Sequence, residues 1–203
     1  LEREHRKQER LIRQARFKLR ATIQDIDYQH SRNITQAQVA RLAQGEWIDR
    51  AQNLLITGPC GSGKTYLACA LGHNACLQGY SVRYYRLSRL LLEMTQAKAD
   101  GSYQKLLVRL AKIQVVLIDD WGLEQLTTAH RNDLLEIMDD RHGSRSTVMI
   151  SQLPTDEWYA AIGDNTLADA ILDRLMHNAH RLSLKGESMR KILGKLTDGE
   201  HLS

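Results

Sequence analysis

Eight consecutive residues have the types and spacing to hold a polyphosphate. Gly58, Pro59, Cys60, Gly61, Ser62, Gly63, Lys64 and Thr65 read G-x-x-x-x-G-K-T, the pattern of a phosphate-cradling loop. The three glycines let the main chain curl around an anion without side-chain clashes. Free N–H groups of the loop, and of a helix that follows it, then point at the phosphates. Lys64 would reach the outer phosphates and the Thr65 hydroxyl would ligate Mg2+, with Tyr66 next along the nucleotide site. A second acidic station follows 55 residues after Lys64, where Val115-Val116-Leu117-Ile118 delivers Asp119 and Asp120. Asp119 would hold the metal, directly or through water. Asp120 would orient and deprotonate a water for attack on a γ-phosphate.

These groups need rigid elements to bring them together. Asn53-Leu54-Leu55-Ile56-Thr57 is a short apolar run suited to a buried strand, and Tyr66 to Gly79 has helical spacing with a glycine stop. The phosphate loop therefore lies between a strand and a helix, its required context. Further strands are expected at 81–85, 114–118, 147–150 and 180–184, separated by helices at 88–100, 102–112, 127–142, around Trp158, and 166–178. Strands alternating with helices predict an α/β fold, a parallel sheet covered on both faces. The sites of such sheets lie beyond the carboxyl ends of the strands, where both motifs fall. Before this core, residues 1–22 read as a charged helix, 23–34 as a linker, and 35–43 as a short capped helix. After it, 187–193 starts a last helix with a polar tail.

Composition bounds the class. The chain has 203 residues, 42 % hydrophobic and 26 % charged, enough for one sizeable core plus an appendage. No stretch approaches membrane-spanning length. Cys60, Cys69 and Cys76 are odd in number and lack metal-ligand spacing, which fits a reduced, cytoplasmic setting. The net charge of +4 is uneven: residues 1–20 carry eight Lys or Arg against three Glu, leaving the rest of the chain at −1. A basic arm on a near-neutral domain predicts a polyanionic partner, nucleic acid before membrane. Leu1 lies inside a charged helical pattern, so an N-terminal part is expected to precede it.

The combination resembles the AAA+ ATPases, and within them the helicase-loader branch and the IstB family of insertion-sequence helper ATPases. The resemblance spans roughly residues 50–191. It rests on Gly58 to Thr65, Val115 to Asp120, Ser151-Gln152-Leu153-Pro154, Leu167 to Leu175, and Lys185 to Lys191. It implies a P-loop, three-layer α/β/α fold with a five-stranded parallel sheet and a reduced C-terminal lid. The expected domains are 1–34, the remainder of a truncated N-terminal domain; 35–184, the ATPase core; and 185–203, the lid and tail. It also implies Gln152 as the sensor of the attacking water, with Ser151 beside it. Arg174 would be an arginine finger reaching a neighbouring subunit's nucleotide, and Arg190 a lid arginine on the γ-phosphate of its own chain. Many relatives carry Glu where this chain has Asp120, and the shorter arm predicts slow hydrolysis, suited to a switch.

A finger supplied in trans would build head-to-tail rings or filaments. The branch's DNA-lining segment matches residues 86–109, with Arg86, Arg89, Lys98, Lys105 and Arg109 as candidate phosphate contacts. Five such groups would weaken binding about 10²–10³-fold between roughly 50 and 200 mM salt. The resemblance implies ATP and Mg2+ as cofactors, with double-stranded DNA, further copies of the chain and a transposase as partners. Its function would be ATP-dependent control of transposition by target selection and transposase activation. A replicative helicase loader, a small P-loop kinase and a non-hydrolysing ATP scaffold remain alternatives.

Overall fold

The computed structural model describes residues 1–28 and 33–185. Helix α1 (Glu2–Ala15) opens the chain, and it ends seven residues short of the expected boundary. At Arg16 the backbone turns left-handed, with φ 52°. The turn sends Phe17 inward, where its ring lies so close to Gly72 that a Cβ there would sit 2.6 Å from it. Burying the ring therefore competes successfully with two further helical turns. A short 3-10 turn at Ile23–Asp25 follows. Helix α2 (Gln36–Ala43) starts from a reciprocal capping box between Thr35 and Gln38. Helix α3 (Glu46–Asp49) then carries Trp47 and Ile48 into the core.

The strand and helix alternation follows: β1 (Asn53–Thr57), α4 (Lys64–Leu77), β2 (Val82–Arg86), α5 (Leu87–Asp100), α6 (Tyr103–Lys112), β3 (Val115–Asp119), α7 (Thr128–Arg141), β4 (Ser146–Ser151), α8 (Trp158–Ile162), α9 (Asn165–Met176) and β5 (Ala179–Ser183). All four strand pairings are parallel, in the order β2-β3-β4-β1-β5. Every residue of β1, β3 and β4 is buried, as expected of a sheet covered on both faces. Alternation divides the sheet's side chains between two cores. Leu54, Ile56, Tyr84, Leu117 and Ile150 pack with α1, α2 and α4. Leu55, Tyr85, Ile118 and Met149 pack with α5 to α9. Helices on both faces of one parallel sheet make a three-layer α/β/α fold.

Helix α1 does more than extend the chain, because Leu11 and Ala15 are buried in the first of these cores. The lower ends of α6, α7, β3 and β4 are tied by one side chain. Arg141 is 1 % exposed. Its guanidinium donates to the carbonyls of Leu110, Ile113 and Ser146, each at 2.6 Å, and to Thr147 Oγ1 at 3.0 Å. A buried cation is tolerable when its donors are met in this way. Among the described residues, no helix is long and apolar enough to cross a membrane.

Candidate nucleotide site

The site forms where strand β1, between β4 and β5, runs out. The N–H of Gly58 donates to the Ser151 carbonyl at 3.2 Å, which anchors the loop to the end of β4. Gly63 caps α4 with φ 87°, a left-handed conformation that suits glycine. The turn it makes brings Lys64 to the helix start, only 8 % exposed. Among the described residues, Lys64 Nζ has a single long contact, 3.3 Å to the Pro59 carbonyl. Burial pushes its ammonium below the usual lysine value, against the opposing pull of Cys60, Asp119 and Asp120. Beside it the Ser62 hydroxyl is buried with no hydrogen-bond partner among the described residues. An under-coordinated ammonium and an orphaned hydroxyl, at a helix N-terminus, are the donors a polyphosphate would satisfy.

The acidic station meets the loop as its spacing predicts. Asp119 is 1 % exposed. Its Oδ2 accepts from Thr65 Oγ1 at 3.0 Å and from the Tyr84 hydroxyl at 2.6 Å, and its Oδ1 accepts from the Asp120 N–H at 2.8 Å. Burial, and then this bond to Asp119, push the Tyr84 phenol upward, so it stays a donor. Asp120 has φ 60°, an uncommon conformation that Asp tolerates better than most residues. Its Oδ2 accepts from Arg86 Nε at 3.2 Å. Among the described residues, no three His, Cys, Asp or Glu side chains gather as metal ligands. A Mg2+ ion would therefore take Thr65 and Asp119 from the protein and the rest of its shell from phosphate and water. The residues present fit that ion with a nucleotide.

Other candidates fall at varying distances from this cluster. Pairing of Thr57 with Ser151 sets exposed Gln152 alongside Gly58. Ser151 itself is committed, donating to the Trp121 carbonyl at 2.5 Å and accepting from Leu153 N–H at 3.0 Å. Arg174 lies at the opposite end of the sheet. Its carbonyl accepts from Asn53 Nδ2 at 3.3 Å, at the first residue of β1. Its guanidinium forms an ion pair with Asp139 on α7 and donates to the Ala170 carbonyl at 2.8 Å. Arg190 and the expected helix at 187–193 lie outside the described residues.

The five basic residues of 86–109 are not equivalent. Arg86 is turned to Asp120. Lys98 pairs with buried Asp133 at 2.5 Å, and Arg109 pairs with Glu93 at 2.9 Å. Arg89 and Lys105 are exposed. Two residues of the nucleotide cluster escaped the sequence reading in this role. In the sequence Tyr84 is one aromatic of a strand, and Arg86 is a candidate DNA contact. The signal for both is the parallel register of β2 on β3, which sets Arg86 opposite Asp119.

Comparison with known proteins agrees with this geometry. Residues 1–195 match the family described as IstB-like ATP binding protein. A Sinorhizobium fredii protein named as insertion sequence ATP-binding protein y4pL is 49 % identical over 180 residues, covering 89 % of this chain and 74 % of that one. A Pseudomonas fluorescens protein named as an ATP-binding protein of insertion sequence IS1162 is 49 % identical over 154 residues, covering 75 % and 67 %. The solved structure of DnaI superposes with a TM-score of 0.69 at 18 % identity, covering 89 % of this chain and 92 % of that one. The DnaC helicase loader gives 0.66 at 19 %, covering 81 % and 97 %. At those identities the two structures speak for the fold alone.

Proposed function

Because the chain belongs to the family of IstB-like ATP binding proteins, we propose that it is a Mg2+-dependent ATPase acting as a DNA-bound switch in transposition. The observation that carries the reading is the single cluster of Lys64, Thr65, Asp119 and Asp120, assembled from the ends of β1 and β3. Lys64 and the loop N–H groups bind and orient the phosphates. Thr65 and Asp119 hold the ion, which when bound neutralises charge on the transferred phosphoryl group. Asp120 takes the proton of the attacking water, and in this reading Gln152 steadies that water. A lid contact from Arg190 belongs to the same reading.

Arg174 is held away from the loop of its own chain: its carbonyl meets Asn53 at the start of β1, about 13 Å of strand away from Thr57. In this proposal it stabilises the developing charge on a neighbouring protomer's nucleotide. ATP then joins copies head to tail, and the array binds duplex DNA, selects a target and activates a transposase. The relatives named for insertion sequences support the transposition setting, and the free thiols of Cys60, Cys69 and Cys76 suit a reducing cytoplasm.

The test mixes two inactive variants, Lys64→Ala and Arg174→Ala, in the presence of Mg2+, ATP and duplex DNA. Phosphate release should return at mixed interfaces and vanish in Asp120→Asn. Activity from an isolated monomer would instead mean a P-loop kinase or a self-sufficient hydrolase.

A further inference from the structure

We propose that Tyr84 is a positioning residue for Asp119, and that its hydroxyl tunes how readily the site takes a divalent cation with nucleotide. The inference rests on the ATPase reading above. Tyr84 lies in β2, in register with Leu117, two residues before Asp119 on the adjacent strand. Tyr84 is 7 % exposed and packed in the core. Its hydroxyl donates to Asp119 Oδ2 at 2.6 Å.

The acceptor count makes this bond consequential. An ionised carboxylate offers about four lone-pair sites. At Asp119, Oδ2 accepts from both Thr65 and Tyr84, and Oδ1 accepts from the Asp120 N–H. Thr65 has a second task, since its oxygen is the group offered to the cation. The Asp120 N–H is fixed by the backbone that also aims the general base. Of the three donors, Tyr84 alone belongs to a residue with no role toward nucleotide, cation or water in the proposed mechanism. It therefore sets the plane in which Asp119 presents its remaining lone pair. Partners of this kind commonly change metal affinity by about 10–100-fold when removed.

A buried tyrosine with a satisfied hydroxyl can also be simple packing, and the experiment separates the two roles. Binding of a fluorescent ATP analogue is measured in EDTA and then across a Mg2+ titration, for wild type, Tyr84→Phe and Tyr84→Met. Both substitutions fill the space and remove the hydroxyl. Tyr85→Phe is the control, because Tyr85 faces the other core. The expected result is unchanged affinity in EDTA, with the Mg2+ midpoint raised about tenfold in both Tyr84 variants and unmoved in Tyr85→Phe. Saturating Mg2+ should restore the hydrolysis rate of both variants to near wild type. A Mg2+ midpoint within twofold of wild type in both variants overturns the role of Tyr84 alone. A wild-type chain that binds no nucleotide under any condition overturns the ATPase reading, and this inference with it.

Discussion

Arg86 and Asp120 are joined side chain to side chain, Arg86 Nε donating to Asp120 Oδ2 at 3.2 Å. Arg86 is the last residue of β2 and the N-cap of α5, while Asp120 is the first residue past β3. The proposed base is therefore tethered to the start of the helix that carries Arg89 and Lys98. A carboxylate held by a guanidinium is less free to turn toward water. Arg86→Ala should raise DNA-free ATP hydrolysis about 2–5-fold, the range open to a part-exposed ion pair. ATP affinity should stay the same. Steady-state phosphate release with nucleotide binding measured in parallel checks both halves.

Lys64 trades stability for binding. Its ammonium is held below the usual lysine value by burial, so the nucleotide-free protein carries the cost of a poorly solvated cation. Lys64→Met should leave the melting temperature of the nucleotide-free protein unchanged or raised at neutral pH. Between the lowered folded value and the ordinary lysine value, the unfolded chain binds more protons, and wild-type stability rises with pH relative to the variant. ATP with Mg2+ at about a hundred times Kd should stabilise wild type by about 2.7 kcal/mol and the variant not at all. Thermal melts with and without nucleotide, at neutral and alkaline pH, read all three effects.

Arg174 is occupied within its own chain by Asp139. In the trans-acting reading it must leave that partner before it reaches another subunit's nucleotide. Asp139→Asn should lower the protein concentration at which ATP drives self-association by about 2–5-fold, again the scale of a part-exposed pair. Arg174→Ala should abolish ATP-driven assembly. Sedimentation across a concentration series distinguishes the two variants from wild type.

The ion pairs of α5 and α6 revise the salt dependence expected of DNA binding through 86–109. Arg86, Lys98 and Arg109 already have carboxylate partners, leaving Arg89 and Lys105. Two phosphate contacts per protomer predict a loss of about tenfold between roughly 50 and 200 mM salt, instead of the hundredfold or more expected from five. Arg89→Ala with Lys105→Ala should flatten that slope, whereas Lys98→Ala should mainly destabilise the protein by stranding buried Asp133. Binding to a labelled duplex across salt concentrations is the measurement.

What could be read from residues alone follows the range of the interactions involved. Gly58 to Thr65 is a local motif whose shape is set by its own backbone, and it was found with its partner Asp119. The fold followed from alternating strand and helix patterns, which need only near neighbours. Tyr84 and the intrachain partner of Arg86 were hidden because their contacts lie 35 and 34 residues away and depend on parallel register. Asn53, which fixes the Arg174 carbonyl from 121 residues away, was hidden for the same reason. The end of α1 at Ala15 escaped because Phe17 is drawn inward by space over Gly72, which helical propensity does not see. The charged partners of Lys98 and Arg109 required two helices to be laid side by side.

The sheet gives the molecule a head and a tail. Its phosphate loop opens at the carboxyl ends of the strands, and Arg174 stands at their amino ends. A row of such subunits would finish with an idle arginine at one tip and an unmet nucleotide at the other. Growth, shrinkage and capture of another protein at those tips would then obey different rules, and a target laid along the row could tell left from right.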